Sequence, residues 1–89
     1  MKGIITVLGK DSVGIIAKVC VFLSKKNVNI LDISQTIVNG YFNMMMIVDM
    51  AGATDSMEVV ADGLGEVGKE LGVVITMQHE DIFNCMHRI

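Results

Sequence analysis

Proline and tryptophan are absent from this chain of 89 residues, and arginine occurs once, at Arg88. Nucleic acids are held by basic surfaces, so a single arginine and a net charge of −3 argue against DNA or RNA as a partner. The two cysteines, Cys20 and Cys85, form no CxxC motif, and the Cys85–His87 pair lacks the further ligands that structural zinc needs. We therefore expect no nucleic acid, no metal and no cofactor.

Uninterrupted apolar runs of membrane-spanning length are also missing. Hydrophobic residues make up 52% of the chain, but the charges of Lys10, Asp11, Lys18 and Lys25 divide its apolar stretches. The N-terminal stretch has one lysine and a short apolar run, without the cleavage-site pattern of a signal peptide. These features predict a cytoplasmic protein without a membrane partner, folded as a single domain over residues 1–89.

Sequence motifs of enzymes are present only in part. The segment Gly63–Gly68 matches GxGxxG, but it falls inside a helical pattern instead of between a strand and a helix. The Gly9-Lys10 pair is followed by an acidic residue, where a phosphate-binding loop has serine or threonine. Neither His79 nor His87 lies near a recognisable nucleophile in the sequence. We expect that the protein is not an enzyme.

Hydrophobic periodicity divides the chain into elements in the order β-α-β-β-α-β. Alternation and β-branched residues predict strands over 2–8, 29–38, 41–49 and 73–80. Apolar spacing of three and four predicts helices over 13–26 and from 54 or 55 to 71, and a short amphipathic tail helix within 81–89. This order is typical of the α+β, ferredoxin-like βαββαβ sandwich, in which a four-stranded antiparallel sheet carries both helices on one face.

A hairpin is the clearest local signal in the sequence. Asn39-Gly40 between two β-rich runs predicts a two-residue turn, which then sets the register of the two strands. One face of the pair is nearly all apolar and the other is mixed, so two residues of Met44–Met46 should enter the core and one should lie on the open face. The predicted pairs include Val38–Tyr41, Ile33–Met46, Asp32–Ile47, Leu31–Val48 and Ile30–Asp49.

The first helix has more apolar surface than one sheet can cover. Asp11 or Ser12 is its predicted N-cap, and Asn27 can adopt the left-handed conformation at its end. The predicted buried stripe is Ile16, Val19, Cys20 and Leu23. The opposite side carries Ile15, Val21 and Phe22. We therefore expect part of this helix to face a partner.

The loop before this helix has the chemistry of an amino-acid site. Gly9 frees the chain to turn, and the amides of Ser12, Val13 and Gly14 are helix-start donors suited to a carboxylate. Asp11 offers a carboxylate that could receive an ammonium group. Together these groups fit a zwitterion such as a free amino acid. The alternative is that Asp11 only caps the helix.

The stretch VLGKDSVGIIAKVCVFLSKKNVNILDISQT resembles the ACT-domain family of small regulatory modules, because a strand, an acidic-glycine turn and a helix lead into an "NI" strand. It is most similar to stand-alone ACT proteins of the glycine-cleavage-repressor type. The resemblance implies side-by-side dimers with a continuous eight-stranded sheet. It also implies an amino-acid effector at the dimer interface, between the first loop and the start of the second strand. The candidate ligand-binding residues are Gly9, Lys10, Asp11, Ser12, Val13, Gly14, Asn29, Ile30 and Leu31.

Two functions remain open. The first is a stand-alone regulatory module that binds a small effector at a homodimer interface and modulates a partner protein. The alternative is a structural or protein-interaction dimer with a vestigial ligand site, whose tail around Phe83 and Met86 engages a partner. Both need a homodimer through the second strand, an edge strand with no proline and Asp32 as its only charge. We expect that dimer to bury part of the first helix, including some of Ile15, Val19 and Phe22.

Overall fold

The computed structural model describes residues 2–10 and 14–79. Antiparallel pairing joins four strands into one sheet in the order β2-β3-β1-β4, with two helices packed on one face. The predicted ferredoxin-like fold is therefore confirmed, while the predicted tail helix lies outside the described residues. In chain order the elements are β1 (Lys2–Lys10), α1 (Ile15–Lys25), β2 (Asn29–Val38), β3 (Tyr41–Asp49), α2 (Met57–Leu71) and β4 (Val74–His79).

The core lies between the two helices and the inner face of the central strands β1 and β3. Met44 and Met46 are completely buried on that face, whereas Met45 between them lies on the open face, as predicted. Alternation along a strand produces this arrangement, since successive side chains point to opposite faces. The completely buried side chains are Ile5, Val7, Val19, Leu23, Met44, Met46, Val48, Val60 and Leu64.

The hairpin between β2 and β3 forms at the predicted turn. Asn39 and Gly40 have φ of 52° and 80°, the positive values that a type I′ turn requires. The predicted register is confirmed from Val38–Tyr41 to Asp32–Ile47. Beyond that point a β-bulge makes Leu31 an extra residue, which increases the local twist of the edge strand. The predicted pairs Leu31–Val48 and Ile30–Asp49 are therefore wrong, and the pairs formed are Ile30–Val48 and Asn29–Asp49.

The start of α1 differs from the prediction. Its N-cap is Gly14, with φ of 92° and no side-chain capping bond, so the predicted caps Asp11 and Ser12 are wrong. A left-handed residue at position 14 interrupts the helical backbone, so the helix begins at Ile15. Asn27 at the other end has the expected positive φ, 57°.

The helical phase of α1 also differs by one position. Ile15, Val19 and Leu23 form its buried stripe, while Ile16 is exposed. The expectation that Ile15 and Val19 would face a partner is therefore wrong, because the chain's own sheet and α2 already cover them. Phe22 is half-buried and packs against the second helix, where a Cβ at Gly63 would collide with its ring.

The N-cap of α2 lies one or two residues later than the predicted caps Thr54 and Asp55, which are therefore wrong. Ser56 is the N-cap and accepts a hydrogen bond from the amide of Val59 at 3.4 Å. Thr54 and Asp55 instead contact Lys26 beyond the end of α1, through a hydrogen bond and an ion pair. Gly72 ends the helix with φ of 73°, as predicted. Within residues 14–79 neither helix is both long and apolar enough to cross a membrane.

Candidate functional site

The candidate site residues form two groups at opposite ends of the sheet. The described members of the loop group are Gly9, Lys10 and Gly14, and the strand group is Asn29, Ile30 and Leu31. Lys10 pairs with Tyr41 at the end where the hairpin turns. Asn29 pairs with Asp49 at the other end, where Asp49 also pairs with Lys2 at the start of β1. At about 3.3 Å per residue, the two groups are roughly 26 Å apart along the strands. A single chain therefore does not bring them together.

The loop group surrounds the end of β1 and the start of α1. Gly9 lies within β1, not in a turn, and a Cβ there would lie 2.6 Å from Cγ1 of Val73. The predicted turn role of Gly9 is therefore wrong, since this glycine allows close packing against the chain that follows α2. Lys10 is exposed at the end of the strand. Asp11, Ser12 and Val13 lie outside the described residues.

The N-terminus of α1 supplies backbone donors to this group. The amide of Lys18 donates to the carbonyl oxygen of Gly14 at 2.9 Å, which is the first bond of the helix. The amides of Gly14, Ile15, Ile16 and Ala17 precede that bond and have no acceptor within the helix. These amides carry the partial positive charge of the helix N-terminus, which favours an anion such as a carboxylate.

The strand group lines a cleft of about 570 Å³ where α1 ends and β2 begins. Polar residues of both donor and acceptor type, Ser24, Asn27, Asn29 and Asp49, are among the residues that line it. Asn29 and Ile30 belong to its lining, whereas Leu31, in the bulge, does not. The lining residues are Cys20, Ser24, Asn27, Val28, Asn29, Ile30, Asp49 and Gly52.

Hydrogen bonds between the turn after α1 and the turn after β3 fix the shape of this cleft. Nδ2 of Asn27 donates to the carbonyl oxygen of Gly52 at 2.7 Å. The carbonyl oxygen of Lys26 accepts from the amide of Thr54 at 2.9 Å, and the ammonium of Lys26 lies 2.7 Å from the carboxylate of Asp55. The cleft wall is thereby attached to the segment that leads into α2.

Sequence reasoning missed most of the polar cleft residues. The sequence predicts Asn27 only as a helix end, but its side chain also donates a hydrogen bond to the carbonyl oxygen of Gly52. Asp49 ends β3 as predicted, but the bulge makes Asn29 its partner instead of Ile30, which brings these two polar residues together. Ser24 gives no sequence signal of its own. In residues 2–10 and 14–79, no three His, Cys, Asp or Glu side chains lie close enough to hold a metal ion.

The element order βαββαβ and the strand order β2-β3-β1-β4 are those of a ferredoxin-like α+β domain. The family model of the ACT domain matches residues 3–78, and the chain belongs to the ACT-domain family, whose members are regulatory modules that bind small molecules. The predicted family resemblance is thus confirmed. A UPF0237 protein of Bifidobacterium longum is 58% identical over 88 residues, which cover 99% of this chain and 98% of the relative.

Solved structures agree with this assignment. The ACT domain protein from Streptococcus pneumoniae superposes with a TM-score of 0.82 and 38% identity, over 93% of each chain. A structure assigned to a glycine cleavage system transcriptional repressor superposes with a TM-score of 0.76. Its identity is 22%, over 86% of this chain and 44% of the repressor, so this second likeness shows the fold alone.

Proposed function

We propose that this protein is a stand-alone regulatory module whose homodimer binds a small effector, an amino acid, at its interface and thereby modulates a partner protein. The module is a single domain over residues 1–89, is not an enzyme and works in the cytoplasm. The ACT-domain membership supports the regulatory role. The observation that carries the dimer, and with it the shared site, is the exposed apolar edge strand β2.

The inner face of β2 is apolar but uncovered. Ile33 and Ile37 are 41% and 61% exposed, although their cross-strand partners Met46 and Phe42 are 0% and 4% exposed. β2 also lies at the edge of the sheet, where one side of its backbone has no strand partner among the described residues. A long apolar edge without proline invites pairing with another strand.

In the proposed dimer, β2 pairs with β2 of the second copy about a two-fold axis. This pairing gives hydrogen-bond partners to the open backbone edge and brings the two halves of the shared site together. A two-fold axis makes the two β2 strands antiparallel, so the Asn29 end of one strand lies beside the Val38 end of the other. Within each chain the Val38 end adjoins Tyr41 and Lys10. Each strand group is thereby placed at the same end of the joined sheet as the loop group of the second chain.

The two groups complement the ends of an amino acid. The amides at the N-terminus of α1, from Gly14 onward, suit the carboxylate. Asp11 in the loop is the proposed partner of the ammonium group. Asn29 and the other polar residues of the cleft in the second chain hold the side chain, and their identity selects the effector. Both halves of the dimer then contact one molecule, which couples binding to the geometry of the interface.

Isothermal titration against the standard amino acids, combined with sedimentation equilibrium, tests this function. We expect a dimer at micromolar concentration and heat from at least one amino acid. A monomer at that concentration would contradict the interface and the shared site together. A stable dimer that gives neither heat nor a thermal shift with any amino acid would contradict effector binding and favour the protein-interaction dimer.

Mixing two defective variants tests whether the site is shared between chains. Asp11→Ala and Asn29→Ala should each abolish the heat, because each removes one half of both sites. After the two are mixed and allowed to exchange, a heterodimer has one site with both halves intact, so about a quarter of the wild-type sites should return. No recovery, with exchange confirmed by native mass spectrometry, would contradict a site built from two chains.

A further inference from the structure

Two aliphatic residues of β1, on the face of the sheet opposite the helices, differ sharply in burial. Ile4 is 6% exposed, whereas Leu8 is 49% exposed, and Thr6 between them is half-buried. Both aliphatic residues have a strand on either side, because β1 is central in the sheet. Ile4 does not belong to the core between the sheet and the helices. Having strands on both sides therefore does not by itself account for the burial of Ile4.

The row of residues that crosses the sheet at Ile4 shows where a cover would lie. Ile4 pairs with Ile47 on one side and with Gln78 on the other, and Ile47 pairs in turn with Asp32. Ile47 is half-buried, whereas Gln78 and Asp32 on the edge strands are exposed. Burial is thus greatest in the middle of the row. Since both helices pack on the opposite face, the pattern indicates a cover from another part of the chain.

The ten residues that follow β4 begin beside this row. β4 ends at His79, one residue beyond Gln78, so position 80 leaves the sheet next to Ile4. A helix over the predicted range 81–89 would be about 13 Å long. The distance across four strands is about 14 Å, so this segment is long enough to cross the whole row. Its apolar residues at helical spacing are Ile82, Phe83, Met86 and Ile89.

The width of a helix also matches the change in burial along β1. A helix with its side chains is about 10 Å wide, which corresponds to about three residues of each strand beneath it. Centred on the row, it would bury Ile4 and border Thr6. Leu8 lies about 13 Å further along the strand and would remain exposed, as it is in the structure.

Charges at the two ends of the row complement those of the segment. Lys2 lies at the end of the sheet where position 80 leaves it, and the segment begins with the acidic pair Glu80 and Asp81. Arg88 lies near the other end of the segment, and Asp32 lies at the β2 end of the row. A helix that crosses from β4 to β2 would bring each charge near one of opposite sign.

We propose that residues 80–89 fold back across the open face of their own sheet as a helix, with the apolar stripe of the segment over Ile4 and Ile47. The stripe is then buried within the chain and is not available to engage a partner. Only the part of the face near the hairpin, around Leu8 and Val74, stays uncovered. This inference goes beyond the proposed function, because it requires neither the dimer nor the effector.

Thiol labelling of introduced cysteines in the full chain tests the cover, with each position measured by peptide mass spectrometry. Ile4→Cys should react about tenfold more slowly than Leu8→Cys, because access to the thiol limits the reaction. Phe83→Asp should remove this difference. Asn84→Asp is the matched control, since it makes a charge change on the opposite side of the predicted helix and should leave Ile4→Cys slow. The native Cys20 in α1 should react equally in all variants, which shows that the rest of the domain stays folded.

The outcomes distinguish a cover by the tail from the alternatives. Slow labelling of Ile4→Cys that Phe83→Asp does not change would overturn the inference, because the strand neighbours would then be the whole cover. If Phe83→Asp also accelerates Cys20, the milder Met86→Ser replaces it, and no acceleration at position 4 alone would again overturn the inference. Slow labelling should persist on dilution, and a rate that rises with dilution would assign the cover to a second copy and overturn it. A monomeric protein, or one that gives no heat with any amino acid, would contradict the proposed function and leave these rates unchanged.

Discussion

β2 and β3 are the two strands of one hairpin and are both rich in apolar residues, yet their side chains differ in burial. On the inner face of β3, Met44 and Met46 are completely buried. On the same face of β2, Ile33 and Ile37 are exposed. The difference shows that the helix layer covers β3 but not this part of β2, so a single chain leaves Ile33 and Ile37 largely unburied.

The burial free energy that a single chain leaves unrealised on β2 is considerable for a small domain. Complete burial of an isoleucine side chain is worth about 1.5–3 kcal/mol, and two isoleucines on the inner face of β2, Ile33 and Ile37, are exposed beside an open backbone edge. A domain of this length buries only about 60–65% of the surface that its unfolded chain exposes. Association through β2 would therefore add stability that the monomer lacks, and the contrast between the two strands predicts where mutations act on folding and where they act on assembly.

The largest effect is expected for Met46→Ala. Loss of this completely buried side chain should lower the free energy of unfolding by about 2–5 kcal/mol, at any protein concentration. The matched control is Ile33→Ala, its cross-strand partner, which should cost the monomer less than about 1 kcal/mol. Urea unfolding at a concentration where the chain is monomeric measures both. Equal losses would show that β2 already belongs to the monomer core.

A charge on the edge strand should act on association instead. Ile37→Lys should weaken dimerisation at least tenfold, about 1.4 kcal/mol, because the ammonium group would lose its water in the interface. Val59→Lys is the control, since it makes a similar change on α2. Sedimentation equilibrium over a dilution series gives the dissociation constants. If the two variants associate equally well, β2 is not the interface.

The turn that joins the two strands should have an intermediate effect. Gly40 has φ of 80°, so Gly40→Ala should lower the free energy of unfolding by about 1–2 kcal/mol through left-handed strain. Asn39→Gly, next to it, should change the free energy by less than about 0.5 kcal/mol, because glycine also adopts positive φ readily. Thermal unfolding with circular dichroism detects both. A tolerated alanine at position 40 would mean that the strands do not depend on this turn.

The smallest effect is expected at the bulge. Leu31→Ala should change the unfolding of the monomer by less than about 0.5 kcal/mol, because this exposed residue has no partner in the β3 register. Ile30→Ala should cost about 1 kcal/mol or more, since Ile30 is half-buried against the core. Urea unfolding compares the two. A larger loss at Leu31 than at Ile30 would contradict the assigned register.

Much of the fold could be predicted because local signals and topology agree. Asn39-Gly40 selects one turn type, and that turn sets the residue pairs from Val38–Tyr41 to Asp32–Ile47, up to the bulge. The alternation around Met44–Met46 then decides which face enters the core. Strand order follows from the right-handed crossovers of the βαββαβ arrangement.

What could not be predicted depends on contacts distant in sequence. Thr54 and Asp55 look like helix caps, but Lys26, more than 25 residues earlier, engages both and leaves the capping role to Ser56. In α1 the residues at positions 15 and 16 are both isoleucine, so the sequence does not distinguish the two helical phases. Contacts distant in sequence also limit the prediction of the site. The positions of the two groups follow from topology, but the polar lining of the cleft depends on the bulge and on the Asn27–Gly52 contact.

The extra residue at Leu31 also separates β2 into two parts that follow different registers with β3. Residues 32–38 keep the alternation that matches β3, whereas Asn29 and Ile30 are offset from it by one position. The start of the strand can therefore vary its side chains towards the cleft while the rest keeps its pairing. Under the proposed function, changes in effector preference and changes in self-association can then accumulate separately, although both fall within ten consecutive residues.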